Sequence, residues 1–155
     1  MSYHSHNRVA QRPPILLTIS DRERLFALLG TAAATVNSEV TCFLREEIER
    51  ADVVPDDIVP SAIVRLGCKV KFVDLSDARI QQAQLVLPEE AQRNHSISVL
   101  SPIGTALIGL GPGQSIRWTD QGRERSLAVI EVGASKSGVK ARRPSAQFRL
   151  RLPVY

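Results

Sequence analysis

Few side chains in this sequence stand at spacings that chemistry could use. His4 and His6 form an H-x-H pair, but two imidazoles without further ligands fall short of the set a zinc site takes. Cys42 and Cys68 are the two cysteines. Both sit in apolar patterns and read as buried free thiols, which suits a reducing, cytoplasmic setting and excludes a disulfide framework. The acid pairs Asp56-Asp57 and Glu89-Glu90 adjoin prolines and read as solvated turn residues. His95 has no acid patterned near it and reads as an exposed loop residue. Gly109-Leu110-Gly111-Pro112-Gly113 is glycine-rich, but it lacks the lysine and the strand–loop–helix context of a phosphate loop. No G-x-S-x-G occurs. The expectation is a binding protein with no catalytic residue, no metal site and no cofactor.

What remains is charge. The 155 residues carry 20 basic and 16 acidic side chains. Residues 133–155 hold six of the bases, Lys136, Lys140, Arg142, Arg143, Arg149 and Arg151, and no acid. The rest of the chain is therefore slightly acidic, and the basic pI belongs to a tail. A localised basic tail suits a polyanion such as nucleic acid, or serves only to solubilise. Apolar residues make up 43%, as in ordinary globular domains. No apolar run reaches the roughly 20 residues of a membrane span, and the N-terminus shows no apolar core of a secretory signal.

The elements that position these groups follow from periodicity. Residues 1–14 are polar, end in Pro13-Pro14, and read as a flexible arm. Ser20-Asp21-Arg22-Glu23 fits a capping box. Leu25, Leu28 and Leu29 then share one helical face, and Gly30 suits a left-handed stop. Gly30 to Asn37 is small and uncharged, a connection. Val40, Phe43, Leu44, Ile48 and Ala51 define a second amphipathic helix over Asn37–Ala51. Two such helices predict a short antiparallel hairpin over residues 15–54, its longer arm about 22 Å. Residues 55–66, with Pro55 and Pro60, read as a linker.

Beyond the linker the period becomes 2. Cys68, Val70 and Phe72 alternate with Lys69, Lys71 and Val73, which predicts a half-buried strand. Further strands are expected at Ile80–Leu87, Ile97–Leu100, Ile116–Trp118 and Leu127–Val132, the last two joined through Asp120-Gln121-Gly122. Ser101 suits a helix N-cap, Pro102 the first helical position and Gly109 the end. The fold class is thus α+β: a helical hairpin, then over 67–132 an antiparallel sheet with one short helix, then the tail 133–155.

The order of these pieces, with V-K-F-V-D-L (70–75), L-V-L-P-E-E-A (85–91) and I-S-V-L-S-P-I-G-T-A-L-I-G-L-G-P-G-Q (97–114), resembles the Gre transcription elongation factor superfamily, and within it the regulator of nucleoside diphosphate kinase (Rnk) branch. The resemblance spans about residues 15–132. It implies an FKBP-like C-terminal domain that docks on RNA polymerase near its secondary channel, with the hairpin directed inward and the segment at Ser101-Pro102 in the dock. Gre cleavage factors carry acidic residues at the tip of a longer coiled coil, where a hard Mg²⁺ ion needs oxygen ligands of negative charge. Here the tip offers Thr31, Thr35 and Asn37 and no carboxylate. The resemblance therefore implies a polymerase-binding regulator without transcript cleavage that competes with Gre factors. A second reading is control of nucleoside diphosphate kinase level or activity, directly or through transcription. A third is prolyl isomerase activity, which requires an aromatic-lined pocket. No membrane partner is expected.

Overall fold

The computed structural model describes residues 12–59 and 62–135. The six tail bases and the pair His4/His6 lie outside them. The elements are β1 (Leu16–Thr18), α1 (Ile19–Leu29), α2 (Ala32–Thr35), α3 (Ser38–Arg50), β2 (Asp52–Val54), β3 (Cys68–Asp74), β4 (Arg79–Val86), a 3-10 turn at Pro88–Glu90, β5 (Ser96–Ser98), α4 (Pro102–Leu107), β6 (Ser115–Asp120) and β7 (Arg123–Ser135).

The α+β class is as expected. Five strands form one sheet in the order β5-β4-β3-β7-β6. Alternation decides its faces: Cys68, Val70 and Phe72 of β3, Leu85 of β4, Ile116 and Trp118 of β6, and Leu127 and Val129 of β7 are all buried, while Lys69 stays in solvent. Leu25, Leu28, Phe43, Leu44 and Ile48 of the helices enter the same apolar cluster. Phe43 stacks on Trp118 with centroids 6.2 Å apart. Burying one such side chain contributes about 1.5–3 kcal/mol, so the helices are held by the sheet and not by their own propensity.

Several local expectations fail for identifiable reasons. The sheet is not wholly antiparallel, because β5 runs parallel to β4; the 3-10 turn and the loop after it return the chain to β4's starting direction. The helical segment is bracketed by β1 and β2, which pair in parallel, although the sequence there is too short to show a period. Thr18, not Ser20, caps α1: its side chain accepts from Asp21 N–H at 3.1 Å. The Ser20 hydroxyl instead donates to Asp56, so Asp56 is a bound, half-buried acid and not a solvated turn residue. Gly30 ends α1 with φ −88°, not in the left-handed region. The connection 30–37 contains the extra turn α2. Cys42 is exposed while Cys68 is buried; Cys42 follows Thr41 on the edge of α3's apolar face, outside the i, i+3, i+4 set.

The boundaries also shift. Ile63, Val64 and Leu66 are buried, so the second half of the segment read as a linker is core. Val64 N–H donates to Leu110 O at 2.8 Å, and Gly109 N–H donates to Val64 O at 2.9 Å. Arg12 and Pro13, read as part of the flexible arm, are tied to α3 by Glu46, Glu47 and Arg50. β7 begins four residues earlier than expected and reaches Ser135, so the first residues assigned to the tail are sheet. Its polar start is paired through a two-residue turn in which Gln121 and Gly122 both have positive φ, 50° and 79°. Such a turn matches the twist of the strands it joins.

Candidate functional site

The start of α4 is as expected. Ser101 is the N-cap and Pro102 opens the helix. The Ser101 hydroxyl accepts from Gly104 N–H at 3.0 Å and donates its proton to Ser98 O at 2.7 Å. Thr105 donates to Val99 O at 2.7 Å, and Ser98 Oγ accepts from Leu100 N–H at 3.0 Å. The segment 98–105 is therefore cross-braced by four short-range bonds. Glycine at 104 is required by close approach: a Cβ there would lie 1.9 Å from Ser98 O. Ser101 and Pro102 stay half-buried on the surface, presented by this brace. Gly109, at φ +80°, ends the unit where Ile15 and Leu16 pack against it.

The tip between α1 and α3 brings Thr31, Thr35 and Asn37 together on exposed backbone. The oxygens of Thr31 and Asn37 serve the chain itself. Thr31 Oγ donates to Leu28 O at 2.7 Å, and Asn37 Oδ1 accepts from Val40 N–H at 3.2 Å, capping α3. Val36 is 86% exposed between them. The nearest acid, Glu39, accepts from Gln121 N–H at 3.1 Å, so it is directed at the β6–β7 turn. No group of three or more metal-ligating side chains occurs among the described residues.

Two buried acids fasten the helices. Asp21 accepts from Leu66 N–H at 3.2 Å and from Arg24 at 2.7 Å. Glu47 is fully buried and takes Arg50 through both oxygens at 2.7 Å each, with Arg12 at 3.1 Å. Glu47 was not singled out by the sequence, since it sits in a run of charged residues. Asp74 accepts from Ser76 Oγ at 2.6 Å, from Ser76 N–H at 3.0 Å and from Arg125 at 2.9 Å. The Ser76 hydroxyl above all, then the Ser76 N–H and Arg125, hold its carboxyl below the usual range against the opposing effect of burial. Burial raises the Cys68 thiol, and its Sγ lies against Gly133 O at 2.7 Å; this is a packed thiol, not a nucleophile.

One concave feature went unforeseen. An open groove of about 690 Å³ lies between Lys69 of β3, β4, and the loop leading into β5. Its sequence signal is only the run Gln81-Gln82-Ala83-Gln84 beside Lys69, too plain to single out. His95 is exposed, as expected, but it lines this groove. No Phe, Tyr or Trp does; Phe72 and Trp118 are buried in the core.

This arrangement, a twisted five-stranded sheet with a braced short helix and an N-terminal helical pair, is that of the Gre-type transcription factors. The solved GreA/GreB elongation factor from Nitrosomonas europaea superposes with a TM-score of 0.60 at 32% identity, covering 78% of this chain and 98% of that one. The model of the GreA/GreB C-terminal family matches residues 59–134, and that of the Rnk N-terminus matches residues 13–54. The regulator of nucleoside diphosphate kinase of Escherichia coli is 34% identical over 123 residues, 78% of this chain and 90% of that protein. GreA of Thermodesulfovibrio yellowstonii is 34% identical over 130 residues, 79% of this chain and 82% of that protein. The chain belongs to the Rnk family within the Gre superfamily.

Proposed function

We propose that this protein is a transcription regulator that binds RNA polymerase at the dock used by Gre factors and lacks their cleavage chemistry. The observation that carries the second half is the tip. Residues 30–37 contain no Asp or Glu, the Asn37 side chain caps α3 and the Thr31 hydroxyl is spent on Leu28 O, and Glu39 is bound to Gln121. A second Mg²⁺ would meet only neutral oxygens, too weak to replace its hydration. Family membership supports the first half. The finer reading is an FKBP-like body over 67–132 that docks through the Ser101-Pro102 segment, while the helical pair over 15–54, joined through residues 55–66, enters the channel as a short coiled coil. Because Ser101 donates its proton to Ser98, the contact falls to Pro102, with Ser101 shaping the turn. The arm 1–14 lies outside the dock. The tail bases Lys136, Lys140, Arg142, Arg143, Arg149 and Arg151 add non-specific nucleic-acid affinity, and the protein works in the cytoplasm.

The test uses stalled, backtracked elongation complexes. Added in excess, the protein should produce no RNA cleavage and should reduce cleavage stimulated by a true Gre factor. Cleavage by the protein alone would overturn the tip argument, and failure to compete would remove the dock. A second reading, direct control of nucleoside diphosphate kinase, is supported by the name of the Escherichia coli relative. It predicts a change in purified kinase activity on addition of this protein, in the absence of transcription.

A further inference from the structure

The groove beside β4 gathers basic side chains and amides. Lys69, Arg93 and His95 reach it from two separate segments, β3 and the 91–95 loop, and no carboxylate lines it. Among the described residues none of these three has an ion-pair partner, a state they share with Arg45, Lys71, Arg79 and Arg123. Between them lie the amides of Gln82, Gln84 and Asn94.

The frame is fixed. Gln84 stands opposite Lys69 across the β3–β4 ladder. Its side chain donates to Gly67 O at 2.9 Å, and its backbone N–H donates to His95 O at 2.7 Å. His95 adopts φ 61°, a conformation uncommon outside glycine, and the Gln84 bond holds it there. The loop therefore presents Arg93 and His95 over the strand and not away from it.

Two cations, Lys69 and Arg93, beside an imidazole and amides that both donate and accept, suit an anion of several oxygens. The volume lies in the range of small-molecule sites. It exceeds what one phosphate fills, and charges on two segments suit two phosphoryl groups. No Phe, Tyr or Trp lines the groove, so the phosphate chain is the part recognised. We infer that this groove binds a small molecule carrying a diphosphate. None of its lining residues belongs to the Ser101-Pro102 segment or to the tip, and its test does not depend on polymerase.

The experiment is calorimetry and amide NMR on the full chain at low salt with inorganic pyrophosphate, orthophosphate, a nucleoside diphosphate and a single-stranded oligonucleotide. Pyrophosphate should bind more tightly than orthophosphate and shift the amides of Gln84 and His95. Lys69→Gln and Arg93→Gln should each weaken it about fivefold or more, and the pair should abolish saturable binding. Both residues are exposed, so unchanged melting is expected and serves as the control. Tighter binding of the nucleoside diphosphate than of pyrophosphate would extend the inference to a nucleotide. No binding of pyrophosphate at about 10 mM would overturn it. So would binding that the double variant retains, which would assign it to the tail, and so would binding of the oligonucleotide alone.

Discussion

Replacing Gly104 by alanine pits local helix preference against packing. Alanine inside a helix is favoured over glycine by about 1 kcal/mol, so propensity alone predicts a more stable protein. The structure predicts the reverse. The new Cβ would stand 1.9 Å from Ser98 O, 2.7 Å from Ser98 C and 3.0 Å from Ser101 Oγ. The first two are backbone atoms and cannot swing aside. Ser98 O also accepts from Ser101 N–H at 3.1 Å and from Ser101 Oγ at 2.7 Å, so moving it sacrifices two hydrogen bonds, about 1 kcal/mol each. Overpacking adds about 1–3 kcal/mol. After the propensity gain the net loss is about 2–4 kcal/mol. Equilibrium urea unfolding followed by Trp118 fluorescence measures it, with the midpoint falling by roughly 1–2 M at an ordinary slope. A variant as stable as the parent, or more so, would refute the claim that the 98–105 brace is rigid.

Glu47→Gln should cost about 2–3 kcal/mol, below the usual loss for a broken buried pair because Arg12 and Arg50 retain some access to water; the same unfolding curve checks it. Asp74 titrates below the usual carboxylate range in the folded protein, so its stabilisation is present above about pH 4 and is lost as pH falls through its lowered value. Asp74→Asn should therefore destabilise the protein at pH 7 and flatten the acid limb of a melting-temperature profile; an unchanged limb would discount the Ser76 and Arg125 contacts. Deleting residues 136–155 should leave melting unchanged and reduce low-salt nucleic-acid affinity in a filter-binding assay, with a shallower salt dependence from fewer phosphate contacts.

Helix faces and strand alternation were legible because burial repeats at 3.6 and 2 residues. Val40, Phe43, Leu44 and Ile48 on one side, and Cys68, Val70 and Phe72 on the other, are buried as their spacing requires. So was the start of α4, where serine and proline each have one mechanical use. What escaped was non-local. Asp56 is indistinguishable from a solvated acid until Ser20 arrives from 36 residues away, and nothing in the charged run around Glu47 marks it for burial until the fold brings Arg12 to join Arg50. Segment 62–66 reads as a linker because its few apolar residues follow no period. The groove was invisible for the same reason, since its walls come from β3, β4 and a loop that only the fold brings together.

The contact of β1 with the loop after α4 has a mechanical consequence. Leu16 N–H donates to Gly109 O at 3.2 Å, and Asp52 N–H donates to Ile15 O at 3.0 Å, so both roots of the helical pair are riveted beside the far end of α4. Gly109 leaves no slack there, since a Cβ would meet Ile15 at 2.8 Å. The pair is thus a cantilever without a hinge. Whatever surface grips the front of α4 also fixes the bearing of the helices, and a load on their tip is returned to that grip as torque instead of being absorbed by bending.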